Sequence, residues 1–168
     1  RRGQKWLNNH EQIVLGDDMD YVFMPEKDGD ILQTLVNVYD NLLQNNDIED
    51  IKVLSAYKKY ELGTDNINTV LKDLYNPSSK YFDTIEYDDK KFNLNDIVIH
   101  TRNYYEASGL KGVDYSINNL DEYMDRTKEI GVFNGEIGKI IKIDEDRGYL
   151  IVQFDDKTII YNLGLKIL

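Results

Sequence analysis

The stretch Val132-Phe133-Asn134-Gly135-Glu136-Ile137-Gly138, running directly into Lys139-Ile-Ile-Lys-Ile143, decides how the chain is read. Asn134 and Gly135 both tolerate φ > 0, so together they are the strongest short turn signal a sequence offers. Two β-rich runs follow, Tyr149-Leu-Ile-Val-Gln-Phe154 and Thr158-Ile-Ile-Tyr161. The turn Asp155-Asp156-Lys157 between them makes the pair a hairpin. Ahead of the glycine stretch, Asp96-Ile-Val-Ile-His-Thr-Arg-Asn103 reads as a strand that ends in polar groups. The expectation is a compact antiparallel β unit over 92–168.

Between Asn103 and the glycine stretch, about 106–131 reads as an insertion. It carries a helix from a Ser116 cap, with Ile117, Leu120 and Met124 on one side. Residues 78–91 read as a polar connection. Before them Thr64 or Asp65 caps a helix whose stripe is Ile67, Val70, Leu71 and Leu74, stopped by Asn76-Pro77. Tyr57 to Thr64 is a loop containing Lys58-Lys59, and Ile51 to Ala56 is a short buried strand. Asp28 to Gln44 spaces Ile31, Leu35, Val38, Tyr39 and Leu42 on one helical face, capped by Asp28 or Asp30. Met19 to Met24 is a short strand ended by Pro25. This β–α–β order predicts a right-handed crossover and a parallel pair in an α/β unit over 1–91.

The 168 residues suffice for one domain or two small ones with a real core. No cysteine is present, so neither disulfides nor thiolate metal sites are available. No apolar run is long enough to span a membrane and no signal peptide is visible, so the expected setting is cytoplasmic, with no membrane partner. The opening Arg1-Arg2-Gly3 lacks a methionine and suggests a piece of a longer protein. The net charge of −11 is concentrated in the first fifty residues and nearly vanishes over 131–168. Phosphate binding must therefore be local rather than driven by overall charge.

No Gly-x-x-x-x-Gly-Lys-Ser/Thr loop exists to cradle a triphosphate. His10 and His100 have no metal-ligand spacing, no serine sits in a nucleophile elbow, and Asp17-Asp18, Asp88-Asp89 and Asp155-Asp156 fall in turns. Catalytic and metal residues are thus expected to be none. Three polar spots remain. Lys58-Lys59 follows a buried strand, where open α/β sheets place ligands; two solvated loop lysines are the competing reading. Thr101-Arg102-Asn103 closes a strand with donors suited to phosphate oxygens, unless Arg102 merely pairs with an acid. Asn134-Gly135 offers backbone donors, and exposed Tyr104, Tyr105 or Phe133 could stack on bases.

The order of these segments resembles a helicase family. Val53-Leu-Ser-Ala-Tyr-Lys-Lys-Tyr-Glu-Leu-Gly-Thr64, then Ile67-Asn68, Leu71, Leu74 and Asn76-Pro77, is similar to the region around motif IV of RecD-like superfamily 1 DNA helicases, the exodeoxyribonuclease V alpha-subunit-like enzymes. Asn95-Asp96-Ile-Val-Ile-His-Thr-Arg-Asn-Tyr104 resembles their Gly-Asp-Arg-Val-x-Gln-Thr-Arg-Asn-x-Tyr stretch, with His100 in place of Gln. Val132 to Gly138 resembles their Val-Phe-Asn-Gly-Asp-Ile-Gly signature, and the following hairpin resembles the strand pair completing an SH3-like barrel.

The resemblance implies part of a second RecA-like motor domain, with a partial parallel sheet and two helices, joined to a small antiparallel SH3-like β-barrel. It implies an ATP-dependent 5′-to-3′ DNA helicase, with ATP and Mg2+ held by the parent enzyme and no cofactor in this piece, which would be inactive as an ATPase alone. DNA repair and recombination would be its setting. Thr101, Arg102, Asn103, Asn134 and Gly135 would border single-stranded DNA, and Lys58 or Lys59 would face the nucleotide cleft. The family's basic pair often contains arginine, whose planar fork a lysine does not reproduce. The 106–131 insertion could hold a protein partner. The alternative expectation is a non-enzymatic SH3-like protein-interaction module.

Overall fold

The computed structural model describes residues 30–78, 83–112 and 120–164. The chain forms two compact units, residues 1–67 and 68–168, with the boundary inside a helix. In the first unit, α1 (Ile31–Leu43) starts where Asp30 accepts the Gln33 N–H at 3.0 Å, satisfying one of the four donors a helix start leaves open. Of the expected face only Tyr39 is buried. Leu35 and Val38 are half-buried, while Ile31 and Leu42 stay exposed.

The α/β expectation is overturned. Every strand pair among the described residues is antiparallel, and Ile51 to Ala56 joins none of them. Alternate side chains in this segment are half-buried, but Leu54 is 94% exposed. Local side-chain bonds take over here: the Ser55 hydroxyl donates to the Leu62 carbonyl at 2.5 Å and accepts the Tyr57 N–H at 3.2 Å. An apolar run becomes a strand only where another backbone pairs with it, and none does among the described residues. The proposed parallel partner, Met19 to Met24, lies outside the described residues.

Helix α2 (Thr64–Tyr75) begins directly after Gly63, whose carbonyl accepts the Ile67 N–H at 2.9 Å, and it ends at Asn76-Pro77 as the sequence suggests. In the second unit β1 (Thr84–Tyr87) and β2 (Lys90–Asn93) form a hairpin. Its loop is Asp88-Asp89, with φ of 50° and 58°, the two-residue geometry that matches strand twist. Asp96 ties α2 to this hairpin. Its carboxylate accepts from Lys72 Nζ at 2.5 Å, Asn76 Nδ2 at 2.7 Å and the Asn93 N–H at 2.8 Å. Asn93, fully buried, donates to the Asn76 carbonyl and accepts from the Ser78 hydroxyl.

The main sheet contains β3 (Ile97–Ile99), β4 (Ser108–Lys111), β5 (Lys128–Glu129), β6 (Ile137–Asp144), β7 (Tyr149–Gln153) and β8 (Lys157–Asn162). Their order is β3-β6-β7-β8-β4-β5, all antiparallel. Strands β3 and β4 are two ends of one stretch. Its start pairs with β6, its end pairs with β8, and a Tyr104–Val132 bridge lies between, so the sheet bends back on itself. Gly138 permits the close approach of β6 to β7, since an added Cβ would sit 2.6 Å from the Gln153 carbonyl oxygen.

Both faces of β7 and β8 are covered. Leu150, Val152 and Ile159 join Ile140, Val132 and Phe154 in the main core, while Ile151 and its register partner Ile160 pack with Leu120 and Tyr123 of α3 (Leu120–Arg126). This explains why the two strands read as continuous apolar runs. Fully burying Ile140 or Ile159 contributes roughly 1.5–3 kcal/mol each. Within α3 the buried pair is Leu120 and Tyr123, and the Tyr123 hydroxyl donates to Thr158 Oγ1 at 2.5 Å. Met124, placed by the sequence on one side with Leu120, is exposed; Ser116 and Ile117 lie outside the described residues. No helix of the described residues is long and apolar enough to cross a membrane.

Candidate functional site

Phe133 to Glu136 forms a turn closed by the Glu136 N–H on the Phe133 carbonyl at 3.2 Å. Only Gly135 has positive φ, 95°, which is the requirement at the third position of a type II turn. Asn134 therefore keeps an ordinary backbone, and the turn leads into β6 rather than closing a two-strand hairpin. The stretch after β3 lies against it. Gly135 N–H donates to the His100 carbonyl, and His100 N–H to the Glu136 carbonyl, each at 2.8 Å. One residue pair then clasps the loops together: Asn103 Oδ1 accepts the Asn134 N–H at 3.0 Å.

Thr101, Arg102, Asn103, Asn134 and Gly135 are all exposed and lie along these two adjoining loops. Among the described residues Arg102 has no acidic partner. The Asn103 amide nitrogen donates to the Tyr105 hydroxyl at 3.3 Å. The surface thus presents an exposed guanidinium, two asparagine side chains and a hydroxyl, a set that donates to anionic oxygen.

Beneath this surface lies a residue that sequence reasoning missed. Lys157 is buried, donates to the Gly131 carbonyl at 2.9 Å and to Glu136 Oε1 at 2.9 Å, and so anchors both ends of the 131–136 loop. Glu136 Oε2 lies 2.8 Å from the same ammonium but outside hydrogen-bonding geometry. Nearby, the Tyr161 hydroxyl and His100 Nδ1 are 3.2 Å apart. Burial pushes the His100 imidazole below its usual pKa; Glu136 opposes this and Lys157 adds to it. Burial, then Glu136 and Tyr104, hold the Tyr161 phenol well above its usual range.

An apolar cleft of about 140 Å³ opens between Tyr87, Phe92, Ile99, His100 and Tyr161. That is below the roughly 300 Å³ at which small-molecule sites begin. Among the described residues no cluster of three His, Asp or Glu side chains could hold a metal.

Lys58 and Lys59 belong to the first unit. Their loop is pinned to the start of α2 by the Thr64 N–H on the Tyr57 carbonyl at 3.0 Å and the Asp65 N–H on the Lys58 carbonyl at 3.1 Å. Both side chains are exposed, without a hydrogen bond or ion pair among the described residues.

Comparison with known proteins adds one match. No curated protein and no solved structure matches the chain. A family model described as the ATP-dependent RecD-like DNA helicase SH3 domain matches residues 67–154, just over half of the chain and nearly all of the antiparallel sheet up to the end of β7. With its bent stretch 97–111, its glycine turn and this match, the chain belongs to the family of RecD-like DNA helicase SH3 domains.

Proposed function

We propose that this chain serves an ATP-dependent 5′-to-3′ DNA helicase by lining the path of single-stranded DNA. The observation that carries the reading is the exposed Arg102, without an acidic partner among the described residues, beside the Asn103–Asn134 clasp on a sheet of the helicase family. Arg102 and the Asn134 side-chain amide hold phosphates, while Thr101, Asn103 and Gly135 complete the rim. Lys58 and Lys59 are assigned to the nucleotide cleft of the parent enzyme, which supplies the phosphate loop, ATP and Mg2+. The chain alone hydrolyses no ATP on this reading, because it has no such loop.

Salt dependence tests the assignment. A labelled oligothymidylate should bind weakly and mainly at low salt, since the chain carries −11 overall. Arg102→Ala should flatten the log–log salt slope by about 0.7, the share of one phosphate on a single strand. An unchanged slope removes Arg102 from the site.

A second reading has its own observation. Ile99 and Ile137 are direct register partners, and both are exposed, at 58% and 42%. An exposed isoleucine on the edge strand β3, paired with another on β6, suits a protein segment laid beside β3. Binding of candidate partner domains that Ile99→Lys abolishes, with no oligonucleotide binding, would favour a non-enzymatic interaction module.

A further inference from the structure

Two aromatic rings beside the clasp have no role in holding phosphates. Tyr105 is 67% and Phe133 43% exposed, whereas Phe154 close by is buried and Tyr104 is half-buried. The exposed rings meet edge to face, with centroids 5.8 Å apart and planes at 75°. Each is held in place. Asn103 bonds the Tyr105 hydroxyl with its amide nitrogen and the Asn134 N–H with its oxygen. The buried Lys157 ammonium lies 5.5 Å from the Phe133 ring centroid and 5.9 Å from that of Phe154.

A fixed pair of apolar rings in water forgoes the free energy of burial. Its occupant should offer a flat apolar face, and negative charge within reach of Arg102. An unpaired nucleobase and its phosphate meet both demands. A base inside a duplex does not, because its faces are already stacked.

We propose that Tyr105 and Phe133 form a stacking platform for one unpaired base, with Arg102 on a phosphate of the same strand. The proposal rests on the strand-path reading and adds the residues that contact the base.

The test uses the 168-residue chain and an oligothymidylate with one 2-aminopurine, whose fluorescence is quenched on stacking. Wild type should bind and quench. Tyr105→Ala and Phe133→Ala should each weaken binding about 5- to 150-fold and reduce the quench, with the salt slope unchanged. Phe133→Tyr and Tyr105→Phe, which keep a ring, should retain both signals. Arg102→Ala should do the reverse, lowering the slope and keeping the quench. Binding with an Arg102-dependent slope, but with no quench and no loss on either alanine change, overturns the platform and leaves the strand path standing. Equal affinity for the matching duplex also overturns it. No binding by wild type defeats the strand path itself.

Discussion

Lys157 shows how much one side chain decides in this fold. It is the single buried cation among the described residues, and it serves a carboxylate, a carbonyl and a ring face at once. Lys157→Met would leave Glu136 without its counter-charge and the Gly131 carbonyl without its donor. Fully buried pairs cost about 3–5 kcal/mol when one partner is removed; Glu136 remains 29% exposed, so about 2–3 kcal/mol is expected. Urea unfolding checks this, and Lys157→Met with Glu136→Gln should recover part of the loss. An unmoved midpoint for the single change would show that the ion pair is dispensable. His100 makes a pH-dependent contribution. Its folded pKa is lowered, so the unfolded chain takes up protons that the folded state resists. That contribution is complete above the ordinary histidine pKa of about 6.5 and is lost as pH falls through it toward the lowered folded value. His100→Gln should make melting temperature less sensitive to pH between about 7.5 and about 5. His10 is common to both proteins, so parallel curves would contradict the assignment to His100.

At the scale of elements, Asp96 joins helix to hairpin. Asp96→Ala removes the Lys72 ion pair and the bonds from Asn76 and Asn93 in one step, and should cost about 3 kcal/mol in thermal or urea unfolding. A loss under about 1 kcal/mol would mean that α2 is held by packing alone. What the sequence reveals of these elements follows how local their causes are. Helix α1 is legible because Asp30 and the spacing of its apolar residues act within one or two turns. The hairpin of β7 and β8 is legible for the same reason. Ile51 to Ala56 misleads because its strand character depends on a distant partner, and its residues instead close a loop through Ser55. The β1–β2 hairpin is hidden because Asp88-Asp89 adopts a geometry usually signalled by glycine or asparagine. The exposed donors Arg102, Asn103 and Asn134 are legible from their motifs. The clasp between Asn103 and Asn134 and the anchoring by Lys157 span many residues, so no local pattern announces them. In sequence, Lys157 belongs to an acidic turn and reads as solvated charge.

For the whole molecule, charge and topology pull in different directions. A net charge of −11 repels nucleic acid at long range, so on the proposed reading a strand is held by a short list of contacts on the bent sheet. On that proposal this member of the RecD-like helicase SH3 family borders a strand rather than gripping it alone. The loops bearing Arg102 and Asn134 are clasped to each other and backed by a close-packed core, so little ordering should accompany binding. The most direct measurement is the map of backbone amide shifts when the isotopically labelled chain is titrated with oligothymidylate at low salt. The account predicts that the largest shifts fall in residues 101–105 and 133–136. Shifts centred instead on Ile99 and Ile137 at the sheet edge, or none at saturating oligonucleotide, would contradict it.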